Sequence, residues 1–454
     1  MMLTKDNREE NFFKTVCALA IPVALQSMLQ SSFSIVDQMM VGQLGSTSIA
    51  AIGIAGKFSS IFSVVVSAVG AVAGIMISQY IGSNDRDEAD KSLRLNLMVA
   101  ISIAGIFFLI SILIPSQLTG LYSKDETTVK MAAGYLRLIA FSFVPIAVTT
   151  CVSTMLRCIG KAFIPLYASI VAALVNTGLN YGFIFGKFFF PKCGVRGAAI
   201  ATAVAGGVNL VFTLIGFIVV DYGRNYSKRL VTFSFRLGKM TGKKYLTILM
   251  PLLANEFLWS LGENVYASIY GHLGTEDYAA MTLTFPIQGL MIGALSGISQ
   301  AAGILIGKEL GKADYDEAYR KSKRLMFYGL FGSVILSVVL IYLRKFYVDI
   351  YHVNEGVKQV GAQILLIFAI ISPVKVMNMV VGAGILRSGG KTRSIMYIEV
   401  IGTWLFGVPL GVISAFVLKL SIPYVYLLLS MEECVRLLLE LVVFKKKRWM
   451  QKID

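Results

Sequence analysis

Four residues in the first half of the chain bring together the chemistry of a hard-cation site: Asp37, Asn176, Asn180 and Thr202. Asp37 stands in an apolar run five residues before Gly42, which opens a charge-free turn. With a helical rise of about 1.5 Å per residue, it lies in the outer half of that run. Asn176 and Asn180 are four residues apart, hence on one helical face. Asn180 is about seven residues from the outer end of its run and Thr202 about six residues into the next, descending one. Asp37, Asn180 and Thr202 thus converge on one depth, with Asn176 a turn deeper. A carboxylate with amide and hydroxyl oxygens is hard-oxygen chemistry, suited to a proton or Na⁺ rather than a soft metal. The competing reading makes Asp37 an interfacial residue and the two asparagines helix–helix glue.

The second half offers a different set. Glu256 and Glu263 are seven apart and nearly share a face, with Trp259 between them, and Glu399 lies in the inner part of a later run. A charged side chain at mid-membrane costs about 2.5–3.5 kcal/mol on insertion scales, so each is a candidate for C-terminal coupling or substrate binding. The alternative is packing, with Lys375 neutralising one of them; Lys57 and Arg137 are expected to snorkel toward headgroups. Pro22, Pro145, Pro286, Pro373 and Pro409 interrupt apolar runs, which frees backbone groups and permits bends. Pro22 shares its helix with Asp37, so occupancy of that acid is expected to couple to helix shape.

The elements that position these residues follow from composition. The 454 residues are 56% hydrophobic and 15% charged, against about 25% charged in a soluble domain. Apolar runs long enough to cross about 30 Å of hydrocarbon recur along the whole chain. They predict an all-α integral membrane protein with twelve spans, near 15–41, 48–80, 92–114, 131–155, 163–186, 197–220, 246–270, 278–307, 325–343, 359–386, 394–416 and 421–444. The second and eighth exceed a straight crossing, and tilt or a kink is expected in both.

The net charge of +16 does not indicate nucleic acid. With the N-terminus placed inside, 29 Lys and Arg fall in inner segments and 9 in outer ones. That is the positive-inside pattern of a multi-pass protein of the cell membrane with both termini cytoplasmic. The tail FKKKRW is read as a stop-transfer flank, with contact to anionic membrane lipids as the alternative. The five cysteines show no metal or redox spacing. Polar residues 1–11 lead straight into an overlong apolar stretch, so the first helix is expected to be retained. Neither a nucleotide loop nor a catalytic constellation stands out, His272 and His352 lie near outer ends, and the reading is therefore a non-enzyme without cofactor.

The chain also repeats itself. Residues 22–91 match 251–320 at a constant offset of 229, with 19 of 70 positions identical, including Gly42/Gly271, Gly45/Gly274, Gly82/Gly311, Asp85/Asp314 and the run Asp87–Ala89 against Asp316–Ala318. Apolar helices share a small alphabet, but these loop residues lie outside it. Leu156-Arg157 and Gly160-Lys161 answer Leu386-Arg387 and Gly390-Lys391 at offset 230. Six spans per repeat predict two lobes related by a pseudo-twofold axis along the membrane normal. The domains are 1–220 (N-lobe), 221–245 (a basic interlobe linker) and 246–454 (C-lobe). At the repeat position of Asp37 stands Tyr266, so the second lobe lacks this acid.

The stretch PVALQSMLQSSFSIVDQMMVGQLG (22–45) resembles the opening of multidrug and toxic compound extrusion transporters. VNTGLNYGFIFG (175–186), GVRGAAIATAVA (194–205), LRSGGKT (386–392) and WLFGVPLG (404–411) are similar to the same family, and the resemblance covers essentially the whole chain. It implies an antiporter that exports organic, often cationic, compounds by alternating access, driven by Na⁺ or H⁺. The family's N-lobe cation site falls on Asp37, Asn176, Asn180 and Thr202. There are departures: some members carry a second acid where Asn180 stands, members often have an acid where Lys391 stands, and Asp where Glu399 stands. They leave the coupling ion open. The first rival is a lipid-linked saccharide flippase of the same superfamily, which would need several cavity cations. The second is a channel-like or scaffolding protein, in which the polar span residues would show no ion dependence.

Overall fold

In hydrocarbon no water satisfies a peptide N–H or C=O, so apolar runs of this length close their own hydrogen bonds as helices. The computed structural model describes residues 5–188, 190–221, 242–351 and 353–453, and among them contains no strand. Twelve long helices follow one another: α1 (Lys5–Gly42), α2 (Ser46–Gly82), α3 (Arg86–Leu113), α4 (Glu126–Cys158), α5 (Phe163–Phe185), α6 (Val195–Asp221), α7 (Gly242–Leu273), α8 (Thr275–Gly311), α9 (Tyr315–Asp349), α10 (Glu355–Leu386), α11 (Thr392–Val417) and α12 (Ile422–Lys445). Ten are long and apolar enough to cross a membrane by composition alone. The other two, α7 and α12, carry Glu256 and Glu263, and Glu432, Glu433, Arg436 and Glu440. The expected linker 221–245 falls mostly on residues 222–241, which, like His352, lie outside the described residues.

The duplication extends to the backbone. Helices α2 and α8 are 37 residues each and superimpose in sequence at the offset of 229. Each is entered through a glycine of positive φ, Gly45 at +91° and Gly274 at +152°, and left through a residue at φ +60°, Asn84 and Ala313. The left-handed region is unfavourable for alanine, so its retention at Ala313 points to an inherited corner. The next helix starts with the same device in both halves. Asp85 accepts a hydrogen bond from the Glu88 N–H (3.2 Å), and Asp314 from the Glu317 N–H (3.0 Å), each capping donors that the helix leaves unpaired. At the start of α4, Asp125 caps in the same way, and the Thr128 hydroxyl and N–H hold its carboxyl below the usual aspartate range.

Two compact units emerge. One comprises Leu29–Ile77 with Asp85–Thr241, the other Met1–Met28 and Ser78–Asn84 with Gly242–Asp454. Helix α1 is continuous past Pro22, which lies in the portion packed with the second unit, whereas Asp37 lies in the first. Pro286 and Pro373 also sit within continuous helix, while Pro145 follows a tight turn at Ala140–Ser142. Pro409 separates two wide π-helical segments of α11, Val400–Gly407 and Ile413–Val417.

Between membrane helices the driving force is close packing rather than expulsion of water, and small residues permit the approach. In the second unit glycines serve a further purpose, because they make room for the charged stripe of α12. A Cβ at Gly402 would overlap the Arg436 stem, one at Gly407 the Glu432 carboxylate and Tyr266 hydroxyl, and one at Gly382 the Glu440 carboxylate. The stem of Arg436 cannot swing aside, because its guanidinium is held by Glu399 at 2.8 Å. Gly402→Ala should therefore destabilise by about 1–3 kcal/mol through overpacking. Gly271→Ala, where a Cβ meets nothing within 4 Å, should be neutral or gain up to about 1 kcal/mol. Thermal unfolding followed by tryptophan fluorescence separates the two, and equal midpoints would contradict this packing account.

Candidate functional site

In the first unit, α1, α5 and α6 present Asp37, Asn176, Asn180 and Thr202 to one another. Asn180 Nδ2 donates to Asp37 Oδ1 at 2.7 Å and to Asn176 Oδ1 at 3.2 Å. In the opposite orientation of its amide, which gives up the bond from Asn180, Asn176 donates to both Asp37 oxygens, at 2.9 and 3.0 Å. Thr202 Oγ1 lies 3.5 Å from the Asn176 amide and donates to the Ala198 carbonyl at 3.0 Å. The i, i+4 spacing of the asparagines places both on the inner face of α5, where they are 8% and 2% exposed. Asp37 is half-buried and lines a cavity of about 460 Å³ together with Asn180, Thr202, Tyr135 and Gln38. An apolar shell that includes Ala55, Leu136, Ile184 and Ala199 surrounds it. The carboxylate is thus coordinated by neutral amides, and among the described ion pairs no lysine or arginine meets it. The oxygens gathered here are of the type that holds a proton or a small hard cation.

The second-half candidates lie elsewhere and apart from one another. Glu256 of α7 pairs with Arg387 at 3.1 Å, both partly buried. Glu399 of α11 is 2% exposed, accepts from the Thr403 hydroxyl at 2.8 Å and pairs with Arg436. Glu263 is exposed and edges a small cavity of about 150 Å³ that also receives Lys375, Glu432 and Glu433. Lys375 approaches Glu433 at 3.5 Å rather than any of the three expected acids. Asn378 holds the far side of Glu433, donating to its carboxylate at 2.6 Å and its carbonyl at 2.9 Å. Tyr266 donates to Glu432.

Sequence reasoning missed Glu432, Glu433 and Glu440 and left Arg436 without a role. A signal existed: Glu432, Arg436 and Glu440 recur every four residues, one charged stripe inside an apolar span. Tyr135, which lines the Asp37 cavity, carried no such signal, since a tyrosine in a span is ordinary.

Comparison with known proteins bears on the family and the fold. The MatE family model matches twice, over residues 22–182 and 251–413, the second match starting 229 residues after the first. An uncharacterized transporter of Bacillus subtilis, YisQ, is 22% identical over 440 residues, 96% of this chain and 94% of its own. A probable multidrug resistance protein, NorM, of Agrobacterium fabrum is 24% identical, covering 89% of this chain and 87% of its own. Among solved structures, the Vibrio cholerae MATE transporter VcmN, crystallised with a single substitution, aligns with a TM-score of 0.86 at 18% identity, covering 97% of this chain and 99% of its own.

If the amide shell holds Asp37, the two helices are energetically coupled through it. A double-mutant cycle on Asp37→Ala and Asn180→Ala should return an interaction free energy of about 0.5–3 kcal/mol, read from unfolding of the purified protein. Strict additivity would mean that the 2.7 Å contact contributes nothing.

Proposed function

Because the chain belongs to the multidrug and toxic compound extrusion family, we propose that it is a cation-coupled antiporter of the cell membrane that exports organic, often cationic, compounds. The family is one of transporters, not enzymes, and its members are multi-pass membrane proteins. The observation that carries the finer reading is Asp37: a carboxylate on a cavity wall, hydrogen-bonded by Asn176 and Asn180, with no lysine or arginine on it among the described ion pairs. Such a group can exchange a proton or Na⁺ for a cationic substrate without first breaking an internal salt bridge. Amide donors support the charged acid, and an arriving proton or Na⁺ removes its net charge. Entry of that ion from outside weakens the hold on a cationic substrate, and by linkage the substrate weakens the hold on the ion equally. In an alternating-access cycle that exchange converts an inward ion gradient into outward substrate movement.

The lipid-linked saccharide reading gains no support from the second-unit cavity, where Glu263, Glu432 and Glu433 outnumber Lys375. A cavity of that sign repels a polyanionic headgroup.

Proteoliposomes loaded with a fluorescent organic cation test the proposal when Na⁺ and pH gradients are imposed separately. Export is expected under one gradient, naming the coupling ion, and Asp37→Asn should reduce it to the rate of empty vesicles while the protein still inserts. Undiminished gradient-driven export by Asp37→Asn would overturn the role of this acid.

A further inference from the structure

A third cavity, of about 390 Å³, lies in the second unit, where α7 begins, α11 begins and the segment after α12 ends. Four cationic residues line it, Lys244, Lys391, Arg393 and Lys452, and all four are exposed. No aspartate or glutamate is found among its described lining residues. The floor is the Gly389–Ser394 turn, in which Gly390 adopts φ +73° and leads into α11 with no side-chain cap from Lys391.

The walls are fixed rather than loose. Thr392, 1% exposed, donates its hydroxyl to the Ile248 carbonyl at 3.0 Å and so ties the floor to α7. Gln79, also 1% exposed, ties the floor to the third wall with one side-chain amide. Its nitrogen donates to the Ser388 carbonyl at 2.7 Å and the Gln451 carbonyl at 3.2 Å, and its oxygen accepts from the Ile453 N–H at 2.7 Å. Trp449, buried and stacked on Phe444, anchors the same segment from below. A buried glutamine bonded to three backbone groups that belong to two separated segments holds a pocket in shape before anything enters it.

The repeat shows what is particular to this end. The partner turn of the first half, Gly160-Lys161-Ala162-Phe163, has alanine and phenylalanine where this one has Thr392 and Arg393. The cation pair and the hydroxyl tie occur in the second half alone of these two turns.

We propose that this pocket binds a phosphate-ester anion. Guanidinium and ammonium groups around a preformed cavity, with no carboxylate among its described lining residues, are the chemistry that recognises phosphoryl oxygens. The ester can be carried by a soluble phosphorylated molecule or by an anionic phospholipid whose headgroup reaches the pocket. The site is independent of the transport reading, since none of its residues belongs to the Asp37 cavity.

The test uses purified full-length protein in two arms at constant ionic strength. One titrates sn-glycerol 3-phosphate by calorimetry. The other measures retention of phosphatidylglycerol against phosphatidylcholine by native mass spectrometry. Lys391→Gln/Arg393→Gln changes two exposed side chains and should leave the fold intact, as gel filtration will show. It is expected to weaken binding about tenfold for each charge removed, whereas Lys161→Gln leaves binding unchanged. Loss in the first arm identifies a soluble ester, and loss confined to the second identifies a lipid headgroup. No binding by the native protein in either arm, or equal binding by the double variant, overturns the proposal.

Discussion

A carboxylate inside a membrane protein has lost most of its hydration, and the protein must supply something in its place. Two solutions are present in this chain. In the second unit three acids are paired with fixed cations, buried Glu399 with Arg436, buried Glu433 with Lys375 and partly buried Glu256 with Arg387. Asp37 instead receives amide N–H groups from Asn176 and Asn180, which satisfy its oxygens without cancelling its charge. A fixed pair is already neutral and has little to gain from an arriving ion. An amide-held carboxylate has most to gain. This difference between paired and amide-held charge is what supports proposing the coupling role for Asp37.

The duplicated halves have kept their corners and exchanged their chemistry. The glycine entry to α2 and α8, the φ +60° exit and the aspartate cap recur at one offset, because each solves a backbone problem common to both halves. The interior positions answer to different demands. Where one half has Asp37, the other has Tyr266, and that tyrosine donates to Glu432 of α12. The second half carries a charged stripe on its last helix, for which glycines 382, 402 and 407 of α10 and α11 make space.

How far the sequence could be read follows from the same physics. Rise per residue and helical periodicity are local, so the shared face of Asn176 and Asn180 and their meeting with Asp37 were legible, and the hydrogen bonds between α1 and α5 follow that expectation. The twelve helices were legible because hydrocarbon permits few alternatives. Partnerships across the fold were not legible. Nothing local assigns Arg436 to Glu399 or Lys375 to Glu433, since which face of one helix meets which face of another depends on packing around small residues. The three-way bonding of Gln79 was equally hidden, as its partners lie more than 300 residues away.

In the proposed cycle Asp37 carries an exchangeable ion which a cationic substrate displaces. Proton release tests this directly for the proton-coupled case, and Na⁺ release, followed with ²²Na⁺, for the sodium-coupled case. Purified protein in weakly buffered solution is mixed with a saturating organic cation, and the ion released per protein is counted in the native chain and in Asp37→Asn. The account predicts release of a proton or Na⁺ from the native protein and none from the variant. Equal release from both would show that the displaced ion resides elsewhere and would contradict it.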